Sequence, residues 1–245
     1  MDQAYYRQMY ALEDTHWWFV ARRNLLVRAL AGRLPTDARL LDVGCGTGGT
    51  MDRLRSLGEV WGLDMEPLAL ELCRERGHTN LTLASATDMP YPNNHFDGIV
   101  ALDVLEHIEN HVAAAGEIAR VLKPGGTLVV TVPAYRSLWS RHDVALHHVR
   151  RYRAPEMQKL LADTGLSVEK CTYTVSALFP AVWMVRRWQN AFQKGTPAVA
   201  DAQPTLPWLN TLLRRELDLE SNLVLSGSLP FGLTVFAIAK KNPSE

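Results

Sequence analysis

The sequence has few cysteines, no net charge and no long apolar run, and each absence excludes a class of protein. The three cysteines among 245 residues are far apart and odd in number, so they form neither a disulfide framework nor a zinc cluster. With 26 basic and 26 acidic side chains, the chain lacks the charge of a dedicated nucleic-acid binder, and we expect no nucleic-acid partner. The longest apolar run, residues 175–185, is too short to span a bilayer.

The N-terminal residues MDQAYYRQMY contain no basic segment followed by an apolar core, so they do not form a secretory signal. We therefore expect a cytoplasmic protein. What the composition does contain, 47% hydrophobic and 21% charged residues, is typical of a soluble globular chain. A chain of this length buries enough apolar surface to fold without disulfides or a structural metal.

Short apolar segments alternate with helical segments, which predicts an α/β fold built on a parallel, doubly wound sheet. The strands are predicted at residues 39–43, 60–63, 80–84, 96–102, 127–132, 167–173 and 233–239. We expect one domain over 1–245, divided into an N-terminal helical cap (1–33), a cofactor-binding core (34–174), a helical lid or insertion (175–228) and a last strand (229–245).

A glycine-rich loop follows the first predicted strand. Gly44, Gly46 and Gly48 permit positive φ and let the backbone approach a ligand closely. Asp64 ends the second strand about 20 residues beyond Asp42, the position from which a carboxylate accepts hydrogen bonds from ribose hydroxyls. The glycine spacing fits both G-x-G-x-x-G and G-x-G-x-G, so the loop predicts an adenosine-containing cofactor without choosing between cofactors.

Four ordered motifs resemble those of the class I S-adenosylmethionine-dependent methyltransferases. They are DVGCGTG at 42–48, MPYPNNHFD at 89–97, DVLEHI at 103–108 and VLKPGG at 121–126. The resemblance implies a Rossmann-like sheet of seven strands with the last strand antiparallel. It also implies S-adenosyl-L-methionine as the cofactor and methyl transfer as the reaction.

The same resemblance implies cofactor contacts at the carboxyl ends of the first four strands. The implied set is Asp42, Gly44, Cys45, Gly46, Gly48, Asp64, Met65, Ser85, Ala86 and Asp103. Asp42 is expected to hold the amino group of the cofactor, Asp64 both ribose hydroxyls, and Met65 the adenine ring. Many members carry an acidic residue where this chain has Ser85, and Asp88 is the nearest substitute for that adenine contact.

The N-terminal segment HWWFVARR at 16–23 resembles the WWF-x-x-R entry of a bacterial small-molecule methyltransferase subgroup. The resemblance implies a helix that caps the cofactor, with Arg22 or Arg23 pairing with the cofactor carboxylate. The alternative is a helix that packs its tryptophans on the sheet and leaves both arginines in solvent.

The acceptor side is expected just beyond the fifth strand. Methyl transfer from a sulfonium needs alignment of the nucleophile, and a general base only where the nucleophile carries a proton. His142 and His148 are the candidate bases, and His107 of the LEHI motif is the third, with a structural role as its alternative. The spacing of the histidines and the carboxylate at 142–148 matches no metal-ligand pattern, so no metal site is predicted.

Two further features bear on the acceptor. Arg150 and Arg151 are placed to hold an anionic group or to form a solvated basic face. The insertion mixes aromatic and basic residues, which fits a lid packed on the sheet or a surface in peripheral contact with a membrane. We therefore expect a small-molecule acceptor, anionic or apolar, methylated at oxygen or nitrogen, from natural-product, glycan or lipid-linked metabolism. The alternatives are an NAD(P)-dependent oxidoreductase and a non-catalytic binding module, and no oligomeric state is predicted.

Overall fold

A computed structural model describes residues 3–192 and 204–243. The described residues form a seven-stranded sheet in the order β3-β2-β1-β4-β5-β7-β6. Its strands are β1 (Arg39–Val43), β2 (Glu59–Asp64), β3 (Leu81–Leu83), β4 (Phe96–Leu102), β5 (Leu122–Pro133), β6 (Leu166–Thr174) and β7 (Thr234–Lys241). Neighbouring strands from β1 to β5 are parallel, and β7 lies antiparallel between β5 and β6. The predicted fold class is confirmed.

Helices cover both faces of this sheet. They are α1 (Gln3–Leu12), α2 (Trp17–Leu30), α3 (Gly49–Leu54), α4 (Pro67–Glu75), α5 (His111–Val121), α6 (Arg141–Ala145), α7 (Ala154–Asp163), α8 (Phe179–Phe192) and α9 (Pro207–Ser226). On one face α5 and α7 contribute to the apolar core, and on the other α2, α3 and α4 do so. Because both faces are covered, successive residues of β1 such as Leu40 and Leu41 are both buried, in different clusters.

The strand bounds differ from the prediction by at most two residues, except at the start of the fifth strand. The helix α3 after the glycine loop ends at Leu54, because the chain turns there to bring Gly58 against Ala38. A Cβ on Gly58 would lie 2.2 Å from the Ala38 carbonyl oxygen. The fifth strand begins at Leu122 rather than at residue 127, because Leu122 already pairs with Phe96 before an irregularity in the register.

The insertion contributes two helices, α8 and α9. A hydrogen bond from Asn24 to Asp218 ties α9 to α2, and Leu217 and Val224 of α9 are buried. The lid role of the insertion stays a prediction. Both helices also expose large apolar side chains, namely Trp183, Met184, Val185 and Trp188 on α8 and Trp208, Leu212, Leu219 and Leu223 on α9. Residues 193–203 of the predicted lid lie outside the described part of the chain.

None of the helices in the described ranges combines the length and the hydropathy needed to cross a bilayer.

Candidate active site

A cavity of about 600 Å³ lies at the carboxyl ends of β1, β2 and β4. The strand order reverses between β1 and β4, and ligands of open α/β sheets bind in the crevice at such a point. The cap helices α1 and α2 line one side of the cavity, with Tyr5, Tyr6 and Trp18 among the contributing residues. Val182 and Arg186 of α8 line it as well, so the insertion is part of the wall.

The glycine loop brings its backbone close to the cavity. Gly44 has φ 67°, and a Cβ there would lie 2.6 Å from Val104, so a larger residue would be both strained and overlapped. The backbone N–H groups of Gly44 and Cys45 donate to the Leu63 carbonyl at 2.7 and 3.0 Å, which fixes the loop on β2. Gly44, Cys45 and Gly46 all line the cavity.

Gly48 lies elsewhere. It is absent from the described residues that line the cavity, and it stands at the start of α3 with φ 89°. A Cβ on Gly48 would meet Cys73 and His78 at 3.1 and 3.0 Å, so its small size serves packing below the loop. A motif of evenly spaced glycines cannot reveal this difference, because the chain turns away from the cavity between Gly46 and Gly48.

Two carboxylates face the cavity from the ends of β1 and β2. Asp64 accepts hydrogen bonds from the backbone N–H groups of Gly46 at 2.9 Å and Glu66 at 3.0 Å. Burial raises the pKa of Asp64, although these two hydrogen bonds lower it in part. Asp42 is 2% exposed, and within the described residues its Oδ2 atom has no hydrogen-bond partner. Burial raises the pKa of Asp42 well above its usual range, while the charge of Arg22 lowers it. A buried acceptor without a partner is costly, and a ligand amino group in the cavity would satisfy it.

The end of the cavity beside β2 and β3 carries the residues expected to meet an adenine ring. Met65, Ser85 and Ala86 line it, with Met65 largely exposed and Ala86 buried. The Ser85 hydroxyl lies 2.8 Å from that of Thr87. Asp88 is exposed and is not among the described lining residues, so it does not replace the missing acidic residue in this arrangement.

The cap is fixed to the glycine loop by a buried ion cluster. Glu13 of the segment after α1 accepts hydrogen bonds from the Thr47 hydroxyl, from Arg23 and from Arg76. Arg23 is 4% exposed and belongs to this cluster, whereas Arg22 lines the cavity. Of the two arginines in the entry motif, only Arg22 is therefore placed to meet a ligand.

Arg22 pairs across the cavity with Asp103, which follows β4. Asp103 also accepts from the Thr131 hydroxyl at 3.1 Å and has a left-handed backbone with φ 57°. Such a conformation is costly for a residue with a Cβ and is frequent at functional sites. The cap and the end of β4 thus meet through one ion pair at the middle of the cavity.

The far end of the cavity contains three histidines from two distant segments. His107 lies in a 3-10 turn (Leu105–His107) after β4, while His142 lies within α6 and His148 follows it. The rings of His107 and His148 meet edge to face, with centroids 4.6 Å apart. Burial lowers the pKa of both His107 and His142 to about 4, with a further lowering from His148 and Arg186 respectively. Both rings are therefore neutral near pH 7.

Asp143 organises this end of the cavity. It is fully buried and accepts from the Ser140 backbone N–H at 2.8 Å, from His148 Nδ1 at 2.9 Å and from Arg151 Nε at 2.7 Å. Burial by itself would raise its pKa, but the hydrogen bonds from His148 and Arg151 outweigh burial and hold the pKa well below its usual range.

The two arginines predicted to act together, Arg150 and Arg151, have different partners. Arg151 binds Asp143 and the Ala134 carbonyl, whereas Arg150 donates to the Glu109 carbonyl and is not among the described lining residues. The pair therefore does not form one subsite for an anionic acceptor. Arg186 reaches the same end from α8 and is the lining arginine that the sequence analysis did not single out.

Glu106 is the second residue of this site that the sequence analysis missed. Its side chain is 0% exposed and lines the cavity, and neither carboxyl oxygen has a hydrogen-bond partner among the described residues. Burial raises its pKa well above the usual range, as does the charge of Asp103. Its place in the LEHI motif was the available signal, but only the fold shows that its side chain faces the cavity.

Residues 41–130, from within β1 to within β5, match a family described as a methyltransferase domain, and this range includes the glycine loop. A demethylmenaquinone methyltransferase from Tropheryma whipplei is 31% identical over 168 residues, which is 67% of this chain and 66% of that protein. An O-methyltransferase from Aspergillus nomiae is 33% identical over 116 residues, covering 43% of this chain and 52% of that protein.

Among solved structures, a methyltransferase from Haloferax volcanii in complex with the Trm112 methyltransferase activator has the same fold. It aligns over 99% of this chain and 96% of that chain, with a TM-score of 0.63 and 22% identity. A phosphoethanolamine N-methyltransferase from Haemonchus contortus, solved with S-adenosyl-L-methionine, aligns over 90% of this chain and 52% of that chain, with a TM-score of 0.59 and 19% identity. The chain spans about two thirds of the first curated relative and about half of the second.

Proposed function

We propose that this chain, which belongs to the class I S-adenosylmethionine-dependent methyltransferases, transfers a methyl group to a small-molecule acceptor bound in the main cavity. One observation carries the proposal. The cavity has carboxylates suited to a ribose and an amino group at one end, and neutral histidines suited to a nucleophile at the other. The two ends meet at the Arg22–Asp103 pair.

At the cofactor end, this chain's own groups fit S-adenosyl-L-methionine. The unpartnered Oδ2 of Asp42 is available to the amino group, and Asp64 stands at the end of β2 for the ribose hydroxyls. Arg22 can exchange its contact with Asp103 for one with the carboxylate of the cofactor. When bound, the cofactor supplies an electrophilic methyl group on a sulfonium.

At the acceptor end, the chain aligns the nucleophile and removes its proton. Displacement at the methyl group forms a bond from an acceptor oxygen or nitrogen to the methyl carbon and breaks the bond from that carbon to sulfur. Holding the nucleophile in line provides much of the rate enhancement in such reactions. For an acceptor that carries a proton, the proton leaves at the His107–His148 side, where Asp143 fixes the ring of His148.

The acceptor class rests on the lining and on the relatives. Aromatic and apolar side chains such as Trp17, Trp18 and Ile108 line the same cavity as the histidines, so a partly apolar molecule with one polar reacting group fits. One relative is an O-methyltransferase by name, which favours an oxygen acceptor, and another acts by name on demethylmenaquinone, which favours a small molecule from natural-product, glycan or lipid-linked metabolism. Peripheral membrane contact through α8 remains a prediction.

Parallel calorimetric titrations with S-adenosylmethionine, S-adenosylhomocysteine and NADH test the cofactor. We expect the first two to bind and NADH to give no heat, because the family match covers the glycine loop. Binding of NADH alone would support the oxidoreductase alternative and overturn the proposal. Binding of none of the three would favour a non-catalytic module.

A further inference from the structure

The buried carboxyl of Glu106 lies beside two imidazole rings. One ligand atom each from Glu106, His107 and His148 can be chosen so that all three lie within 4.8 Å of one another. Glu106 is 0% exposed, and within the described residues both of its oxygens are without a hydrogen-bond partner. Leaving a carboxyl group in this state is costly, so the cavity is built for a positively charged or donating group at this point.

In each of the two histidines one ring nitrogen is engaged in a hydrogen bond, which leaves the other nitrogen as an acceptor. Nδ1 of His148 lies 2.9 Å from Asp143 Oδ1, so Nδ1 donates to that carboxylate and Nε2 is left as an acceptor. His107 makes its hydrogen bond with the Leu146 backbone carbonyl. Metal-binding histidines almost always donate their second ring N–H to a carboxylate or a backbone carbonyl in this way.

The pattern of donors selects among the possible occupants. Two imidazoles and one carboxylate suit a divalent transition ion such as Zn²⁺, Co²⁺ or Mn²⁺, whereas Mg²⁺ and Ca²⁺ prefer oxygen ligands. Three protein ligands also leave a position open toward the cavity, as in catalytic zinc sites. Ligand atoms around a tetrahedral ion are about 3.4 Å apart, so three atoms within 4.8 Å of one another need to approach by at most about 1.4 Å for an ion to bind.

We propose that Glu106, His107 and His148 form a binding site for a divalent transition-metal ion at the acceptor end of the cavity. The sequence did not predict this site, because its ligands lie far apart in the chain. Glu106 and His107 lie in the turn after β4, and His148 lies in the segment after α6. The histidine and carboxylate cluster at 142–148 does not itself bind the ion; only His148 is a ligand, and Asp143 orients it.

The ion also narrows the acceptor class, and this consequence rests on the proposed methyl transfer. With the ion bound, His107 and His148 are ligands rather than bases, and the ion lowers the pKa of a coordinated hydroxyl group as Zn²⁺ lowers that of bound water. The proton passes to solvent, the resulting oxygen nucleophile takes the methyl group, and the bond from that carbon to sulfur breaks. The site therefore favours hydroxyl acceptors over amines.

Metal binding can be measured without cofactor or acceptor. Chelator-treated chain is titrated with Zn²⁺ by calorimetry and with Co²⁺ by visible absorption, which reports the ligands around the ion. We expect one ion per chain. Glu106→Gln and His148→Ala should each weaken binding by more than about 100-fold, and Asp143→Asn by about 10- to 100-fold through the orientation of His148.

His142→Ala is the matched control, since it removes a histidine of the same cavity outside the three ligands, and it should bind within a few fold of the wild type. Circular dichroism melting confirms that each variant is folded. Failure of the wild type to bind, or binding by Glu106→Gln equal to the wild type, overturns the metal site. Titration of the metal-free protein with S-adenosylmethionine does not depend on the result of the metal titrations, so it tests the proposed function alone.

Discussion

The two ends of the cavity are built in different ways. The cofactor end is made by residues that follow β1 and β2 directly, so Gly44, Asp42 and Asp64 take their positions from neighbouring parallel strands. The acceptor end is made by segments far apart in the chain, with Glu106 and His107 after β4 and His148 after α6. Asp143 and Arg186 complete it from two further helices.

This difference separates two kinds of specificity. The cofactor end depends on backbone geometry that a strand–loop–helix unit produces locally, and such a unit tolerates little change. The acceptor end depends on hydrogen bonds and ion pairs among loops, where substitutions alter the site while leaving the sheet intact. Mutations should therefore divide cleanly into those that affect cofactor affinity and those that affect turnover.

The largest expected effect is at the cofactor end. Asp64→Ala removes the acceptor of two ribose hydrogen bonds, and hydrogen bonds to charged groups contribute about 1.5–3 kcal/mol each, so affinity for S-adenosylmethionine should fall about 1,000-fold. Calorimetry measures the change. Asp88→Ala is the control, because that carboxylate is exposed and outside the described lining, and it should bind normally. Unchanged affinity of Asp64→Ala would contradict the ribose assignment.

At the acceptor end, His148→Ala should lower turnover by about 100-fold because activation of the nucleophile is lost. Cofactor affinity should stay within a few fold, since His148 lies at the other end of the cavity. His147→Asn provides the control: His147 is exposed and has φ 57°, a conformation that asparagine tolerates. A large loss of cofactor affinity in His148→Ala would show that the two ends are not separate.

Arg22 lies where the two ends of the cavity meet, so its substitution is expected to affect both ends. Arg22→Gln removes the partner of Asp103 and a candidate partner of the cofactor carboxylate, and one charge-assisted hydrogen bond is lost. We expect cofactor affinity and turnover each to fall about 10-fold. Steady-state kinetics with a separate binding titration distinguishes the two effects. A change confined to turnover would place Arg22 with the acceptor end.

The smallest effect concerns stability and pH. Because burial lowers the pKa of His142 to about 4, the unfolded chain binds a proton between about pH 6.5 and 4 that the folded chain does not. Stability therefore falls as the pH falls through this range, whereas the raised pKa values of Asp42 and Glu106 act in the opposite direction.

Comparison with His142→Gln isolates the contribution of His142. Between pH 7 and pH 5 the melting temperature of the wild type should drop, and that of His142→Gln should drop by a few degrees less. If the melting temperatures of the two proteins changed equally with pH, the pKa of His142 would not be lowered by burial, and the prediction would be wrong.

The same division explains what the sequence could predict. The sheet, the glycine loop and Asp64 follow from alternating patterns and short motifs, because the interactions that fix them are local or lie between neighbouring strands. The position of Gly48 below the loop, the buried carboxyl of Glu106 and the separation of Arg150 from Arg151 depend on how distant segments pack. No spacing rule contains that information.

The most direct test of the account is a crystal structure of the chain with S-adenosylhomocysteine. We predict the ribose against Asp64, the amino group against Asp42 and the sulfur directed toward the His107–His148 side of the cavity. That orientation would leave the acceptor end open for the nucleophile. A ligand bound with its sulfur away from these histidines, or outside this cavity, would contradict the assignment of the two ends.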